Sequence, residues 1–112
     1  SRAPQARIVV ANLPNLAGAP FAAGYSADHR LALQRVSVGF STRVINPLAS
    51  QGIPVVDLLC DSRFATASVF SSDGFHPNDT GYAIMADAYL AAMQASTYPA
   101  PASSCAQMTL VK

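Results

Sequence analysis

With 112 residues, 51% of them apolar and 12% charged, the chain is a core-forming globular sequence, one small domain or part of a larger one, and not a disordered segment. Its net charge is +1, and its basic residues (Arg2, Arg7, Arg30, Arg35, Arg43, Arg63, Lys112) are scattered with no two adjacent. That excludes the clustered basic surface a nucleic-acid partner requires. No apolar run approaches the 18 or so residues of a membrane span.

In chain order, residues 1–7 read as a linker, an abrupt start that suits a processed chain or a fragment. Ile8-Val9-Val10-Ala11 is a short apolar, β-branched run closed by Asn12-Leu13-Pro14-Asn15, the pattern of a buried parallel strand. A loop rich in Ala, Gly and Pro follows from Leu16 to about Ser26. The next segment, Ala27 to Ser50, is predicted helical, with Leu31, Val36, Phe40, Val44 and Leu48 on its inward face. Ser26 or Asp28 caps its start, Gly52 stands where a C-terminal glycine would, and Pro47 interrupts its last turn or marks its true end.

A second strand is predicted over Ile53 to Leu59, then a polar loop from Cys60 to about Asn78. A final helix runs from Asp79 to about Ala95, with Asp79 or Thr80 as cap, Pro77 in its first turn and Gly81 allowing close packing. Residues 96–112 form a proline- and serine-rich tail crossing the surface. Cys60 and Cys105 permit one disulfide, and two unpaired thiols are an equal alternative; a bridge would imply an oxidising, extracytoplasmic setting. Strand, helix, strand, helix specifies an α/β fold with a parallel sheet. Two strands leave a sheet edge and apolar helix faces bare, so further strands are expected from another segment of the protein or from a partner chain.

The stretch that carries chemistry is Asp73-Gly74-Phe75-His76-Pro77-Asn78-Asp79-Thr80-Gly81-Tyr82. A general base needs an imidazole held in one tautomer, and a carboxylate accepting its Nδ1 proton holds it so. Asp-x-x-His in a turn can bring the two side chains together. By itself this spacing is weak, since a histidine after an aspartate in a loop is more often a surface turn residue. The whole string, placed after the last strand and before the last helix, resembles the closing block of the SGNH (GDSL-type) hydrolases, D-x-x-H-P-x-x-x-G-Y. Residues 8–14, a strand running into a proline-containing loop, are also similar to that family's penultimate-strand region.

The resemblance implies that residues 8–95 are the C-terminal part of a flavodoxin-like three-layer α/β/α sandwich. It also implies a serine ester hydrolase, esterase or lipase, in which His76 is the general base and Asp73 its orienting carboxylate. The family's Gly-Asp-Ser, oxyanion-glycine and Gly-x-Asn-Asp blocks are not found here. The expected partner is therefore an N-terminal half of the same enzyme carrying the nucleophilic serine, and this chain alone is expected to be inactive. Small esters are the expected substrates, and no cofactor or metal is expected.

Cys60-Asp61-Ser62 imitates a nucleophile block in outline, but Cys60 replaces the glycine of the tight turn and no oxyanion block follows, so a polar loop leaving a strand is the better reading. His29 reads as a solvated or capping residue, and the tyrosines and phenylalanines as core and rim. A non-catalytic α/β binding or structural module is the competing class, and a flavodoxin-like binding domain a third. Low charge, Ala/Ser richness and the possible disulfide suggest a secreted or extracytoplasmic bacterial protein.

Overall fold

The structure, a computed structural model, describes residues 4–112. The chain is mixed α/β: β1 (Val10–Ala11), α1 (Ala27–Phe40), β2 (Val55–Val56) and α2 (Asp79–Gln94), joined by short 3₁₀ and π turns. β1 and β2 pair in parallel, Val10 opposite Val55 and Ala11 opposite Val56. Among the described residues these two strands are the whole sheet.

Both strands are shorter than the apolar runs suggested. Pro54 has no N–H to give to a ladder and serves only as acceptor, taking the Val10 N–H at 3.1 Å. Leu58 then turns its N–H back to the Val56 carbonyl at 3.1 Å, which ends β2. Asn12 closes the other strand: its buried side chain donates to Asn46 Oδ1 and Asp57 Oδ1, each at 2.9 Å, and accepts the Leu59 N–H at 2.9 Å.

The long helical segment is present, but its geometry changes along its length. Ser26 is the N-cap, accepting the His29 N–H at 3.2 Å, with Asp28 in the first turn where a carboxylate favours the helix dipole. After Phe40 the α geometry gives way to a π turn over Ser41–Ile45 and then a 3₁₀ run over Asn46–Gln51. Pro47 can neither donate to a carbonyl four residues back nor avoid clashing with it, so the hydrogen-bond pattern shifts before it is reached. Gly52 stops the run with φ +81°, the left-handed conformation that favours glycine.

The inward face of this segment is a correction. Val36, Phe40 and Val44 are 62%, 46% and 53% exposed, and the buried residues are Gln34, Ser37 and Ser41. The loop at Leu13–Leu16 lies against the helix, and its backbone groups need partners away from water. Ser41 Oγ accepts the Leu13 N–H at 2.9 Å, Ser37 Oγ accepts the Leu16 N–H at 3.0 Å, and Gln34 Oε1 accepts Asn15 Nδ2 at 2.9 Å. Hydrogen-bond satisfaction, not apolar periodicity, chose the face.

The core lies on the other side of the sheet. Val56, Leu58, Phe64, Val69 and Ala92 are buried together, with Val9, Ala11, Ile84, Met85 and Ala88 packed against them. α2 thus covers the sheet face bearing Val9, Ala11 and Val56.

Residues 1–3 lie outside the described part; beyond them both ends of the chain are hydrogen-bonded to the fold. Arg7 donates to the Ala92 and Ala95 carbonyls at the C-terminal end of α2, where a cation suits the dipole. The tail is stapled rather than loose. Ala102 N–H meets Asp57 Oδ2 at 2.8 Å, the Gln34 side chain bonds both the N–H and C=O of Val111, and Gln107 O accepts Asn15 Nδ2 at 2.8 Å. Cys60 and Cys105 form a disulfide. No helix among the described residues is long and apolar enough to cross a membrane.

Candidate active site

The loop Ser71–His76 is closed at its base by a bridge between Phe70 and Pro77. The Ser71 N–H donates to the His76 carbonyl at 2.8 Å and the Gly74 N–H to the Ser71 carbonyl at 2.9 Å. Gly74 takes φ +70°, and a Cβ there would stand 2.7 Å from the Phe21 nitrogen. Glycine is required at this position twice over, by conformation and by space.

Asp73 divides its two oxygens. Oδ1 accepts the Phe75 N–H at 2.8 Å, the His76 N–H at 2.9 Å and the Ser71 hydroxyl at 2.8 Å. Oδ2 meets His76 Nδ1 at 2.6 Å. The first oxygen holds the carboxylate in the turn, and the second is left to hold the imidazole. The His76 hydrogen bond, then the Phe75 and His76 amides and the Ser71 hydroxyl, keep the Asp73 carboxyl well below the usual carboxylate range. An ionised carboxylate only accepts, so Nδ1 carries the proton and the Nε2 lone pair is free. The side chains of His76 and Asp73 are 64% and 49% exposed.

The start of α2 fixes this loop against the core, and here the expected cap is corrected. The N-cap is Asn78, not Asp79 or Thr80, its Oδ1 accepting the Gly81 N–H at 3.0 Å. Pro77 accordingly precedes the helix instead of opening it. Asn78 Nδ2 also donates to the carbonyls of Ser68 at 2.7 Å and Phe70 at 3.1 Å, tying the helix start to the strand-like entry of the loop. Gly81 lets that entry pass, because a Cβ there would collide with the Val69 carbonyl oxygen. Asn78→Ala removes the cap and both carbonyl contacts, and is expected to cost about 2 kcal/mol in urea unfolding. A change below about 0.5 kcal/mol would mean that Asn78 is dispensable.

The structure therefore brings together the two residues chosen from the sequence, Asp73 and His76. Ser71, Gly74 and Asn78, which hold them, were not singled out as supports. The Asx turn at Asp73 gives a signal that could have been read, an aspartate followed by glycine in a loop; the Ser71 contact has no such signature.

Ser62 does not join the pair. It makes no hydrogen bond to His76; Asp61 is bound by Arg63 at 2.6 Å, and Cys60 is held in the disulfide. Among the described residues, His76 Nδ1 has Asp73 as partner, and no hydroxyl or thiol is hydrogen-bonded to Nε2.

No family model, curated protein or solved structure matches the chain.

Beside His76 lies an apolar cavity of about 320 Å³, walled by Leu16, Leu58, Phe70, Phe75, Met85 and Tyr89 among others. Four aromatic contacts also lead away from the imidazole: His76 to Phe75 at 4.9 Å, Phe75 to Phe21 at 5.2 Å, Phe21 to Tyr25 at 5.8 Å and Tyr25 to His29 at 6.3 Å, all edge-to-face. The sequence, in which these rings are spread over more than fifty positions, held no sign of that cluster.

Proposed function

We propose that this chain carries the histidine and aspartate of an SGNH-type serine ester hydrolase, with His76 as general base and Asp73 as its orienting carboxylate. The observation that carries the reading is the 2.6 Å contact between His76 Nδ1 and Asp73 Oδ2 in a loop braced by backbone donors, with Nε2 left open. A surface turn histidine has no need of a carboxylate fixed by three other hydrogen bonds.

In the reaction, a seryl hydroxyl from outside the described residues gives its proton to Nε2 as its oxygen bonds to the ester carbonyl carbon. Asp73 stabilises the imidazolium, which returns the proton to the departing alkoxide as the carbon–oxygen bond breaks. Water then attacks the acyl-serine by the same base, releasing the acid. The serine and the oxyanion donors belong, on this reading, to an N-terminal half of the same enzyme that completes the parallel sheet into a three-layer sandwich. The unpaired edge of β1 and the exposed Val36, Phe40, Val44, Leu90 and Met93 offer apolar surface for it. A disulfide is compatible with an extracytoplasmic, secreted protein.

The test is hydrolysis of 4-nitrophenyl acetate by the full protein containing this chain, with fluorophosphonate labelling followed by peptide mapping. Turnover with a labelled serine outside residues 4–112 supports the reading; no turnover and no label refutes it. The absence of a nucleophile at Nε2 among the described residues favours a second reading, an α/β module without chemistry, which the refuting outcome would promote.

The depressed Asp73 makes a prediction about pH. Its folded pKa lies below the unfolded value of about 3.9, so the stabilisation it brings is present above that value and fades only as pH falls through the folded one. The carboxylate therefore stays ionised through the neutral and mildly acid range. Asp73 should therefore add no ionisation of its own to the profile of kcat/KM above about pH 5, and a limb of slope two there would contradict the assignment.

A further inference from the structure

We propose that Phe21, Tyr25 and Phe75 form an apolar wall that recognises the alcohol portion of the ester, so that the protein favours esters of aryl-bearing alcohols over those of small ones. The inference rests on the esterase reading and adds the substrate class to it.

On the esterase reading, the wall lies on the histidine side of the reacting bond. The imidazolium of His76 must hand its proton to the departing alkoxide, so the alcohol group sits on the histidine side of the scissile carbon and the oxyanion donors on the other. The ring beside His76 is Phe75, at 4.9 Å and edge-to-face, and Phe21 continues the surface at 5.2 Å from Phe75. Tyr25 extends it further, 5.8 Å from Phe21. Phe75 and Tyr25 are 45% and 48% exposed, so their surfaces are open to a ligand.

The wall is fixed relative to the dyad. The Phe21 N–H donates to the Gly74 carbonyl at 3.1 Å, and glycine at 74 allows the two backbones to lie in contact. Phe21 is thus bonded to the same turn that holds Asp73 and His76. Tyr25 follows from it by a 3₁₀ turn, its N–H bonded to the Ala22 carbonyl at 3.0 Å. Three rings in sequence from His76, two of them phenylalanine and the third bearing its one hydroxyl at the far end of the chain, suit a flat apolar group, which such rings receive edge-to-face or stacked.

The experiment compares benzyl acetate with methyl acetate in the full protein, by pH-stat, for wild type, Phe21→Ala and Tyr25→Ala. Both are acetate esters of unactivated alcohols, so the acyl group is shared. Phe21→Ala should lower the benzyl-to-methyl ratio of kcat/KM roughly tenfold, and Tyr25→Ala by a smaller factor. A parallel fall on both substrates means a structural role only and overturns the wall, as does an unchanged ratio. A second measurement needs no turnover: titration of the full protein with benzyl alcohol, read by NMR. Shifts confined to Phe21, Tyr25, Phe75 and His76 support the wall even if no ester is hydrolysed, in which case the esterase reading alone falls. Hydrolysis without those shifts and without selectivity sinks the wall and leaves the esterase reading standing.

Discussion

His76→Ala in the full protein is expected to lower kcat on 4-nitrophenyl acetate by roughly four to six orders of magnitude, with KM little changed. The serine would lose the group that takes its proton, and nothing nearby replaces it: Asp73 is the sole partner of the imidazole among the described residues, and its carboxylate is too weak a base to deprotonate a hydroxyl. Asp73→Asn should cost less, roughly two to four orders, because the imidazole stays but its tautomer and its imidazolium lose their support. It should also loosen the turn, since Oδ1 carries three of the loop's hydrogen bonds. The two effects separate in the measurement: circular dichroism and thermal melting report the turn, and stopped-flow turnover reports the base. Retained activity in His76→Ala would remove this histidine from the chemistry and the esterase reading with it.

Breaking the disulfide carries the largest expected effect on stability. Cys60 and Cys105 are 45 residues apart, and closing a loop of that length limits the unfolded chain enough to stabilise the fold by about 2–4 kcal/mol. The bridge joins the loop after β2 to the tail, which crosses to α1 and closes over it through Gln34 and Val111. Cys60→Ser with Cys105→Ser, or reduction with a phosphine, should lower Tm by roughly 10–20 °C. Amide exchange should accelerate first in residues 102–112 and at the Asn15 loop they cover. A Tm that moves by less than about 2 °C on complete reduction would show that the hydrogen bonds of Gln34, Asn15 and Asp57 hold the tail unaided.

Local patterns were readable wherever one residue decides one backbone feature. Ser26 before a helix, Gly52 after it and the β-branched runs around Val10 and Val55 each act through neighbours in the chain, and each took the role its chemistry implied. The Asp73–His76 pair was legible for the same reason: three residues apart in a turn, the two side chains need no distant element to meet. Asn78 was missed in favour of Asp79 and Thr80 because all three are competent caps. The choice fell to Asn78, whose amide also reaches the Ser68 and Phe70 carbonyls.

What depends on long-range partners was not legible. The apolar positions of the helical segment were assigned inward by period alone, yet Ser37 and Ser41 took the interior because the backbone of the Leu13–Leu16 loop needed them. The disulfide was left open by the sequence, since pairing depends on two loops meeting across the fold. By itself, then, the sequence determined the α/β class, the element order and the dyad, all set by interactions within a few residues. The tertiary structure alone decided which helix face is buried, that the tail is bound down, and that Phe21 packs against Phe75, the ring beside His76, because each of these requires segments far apart in the chain to come into contact.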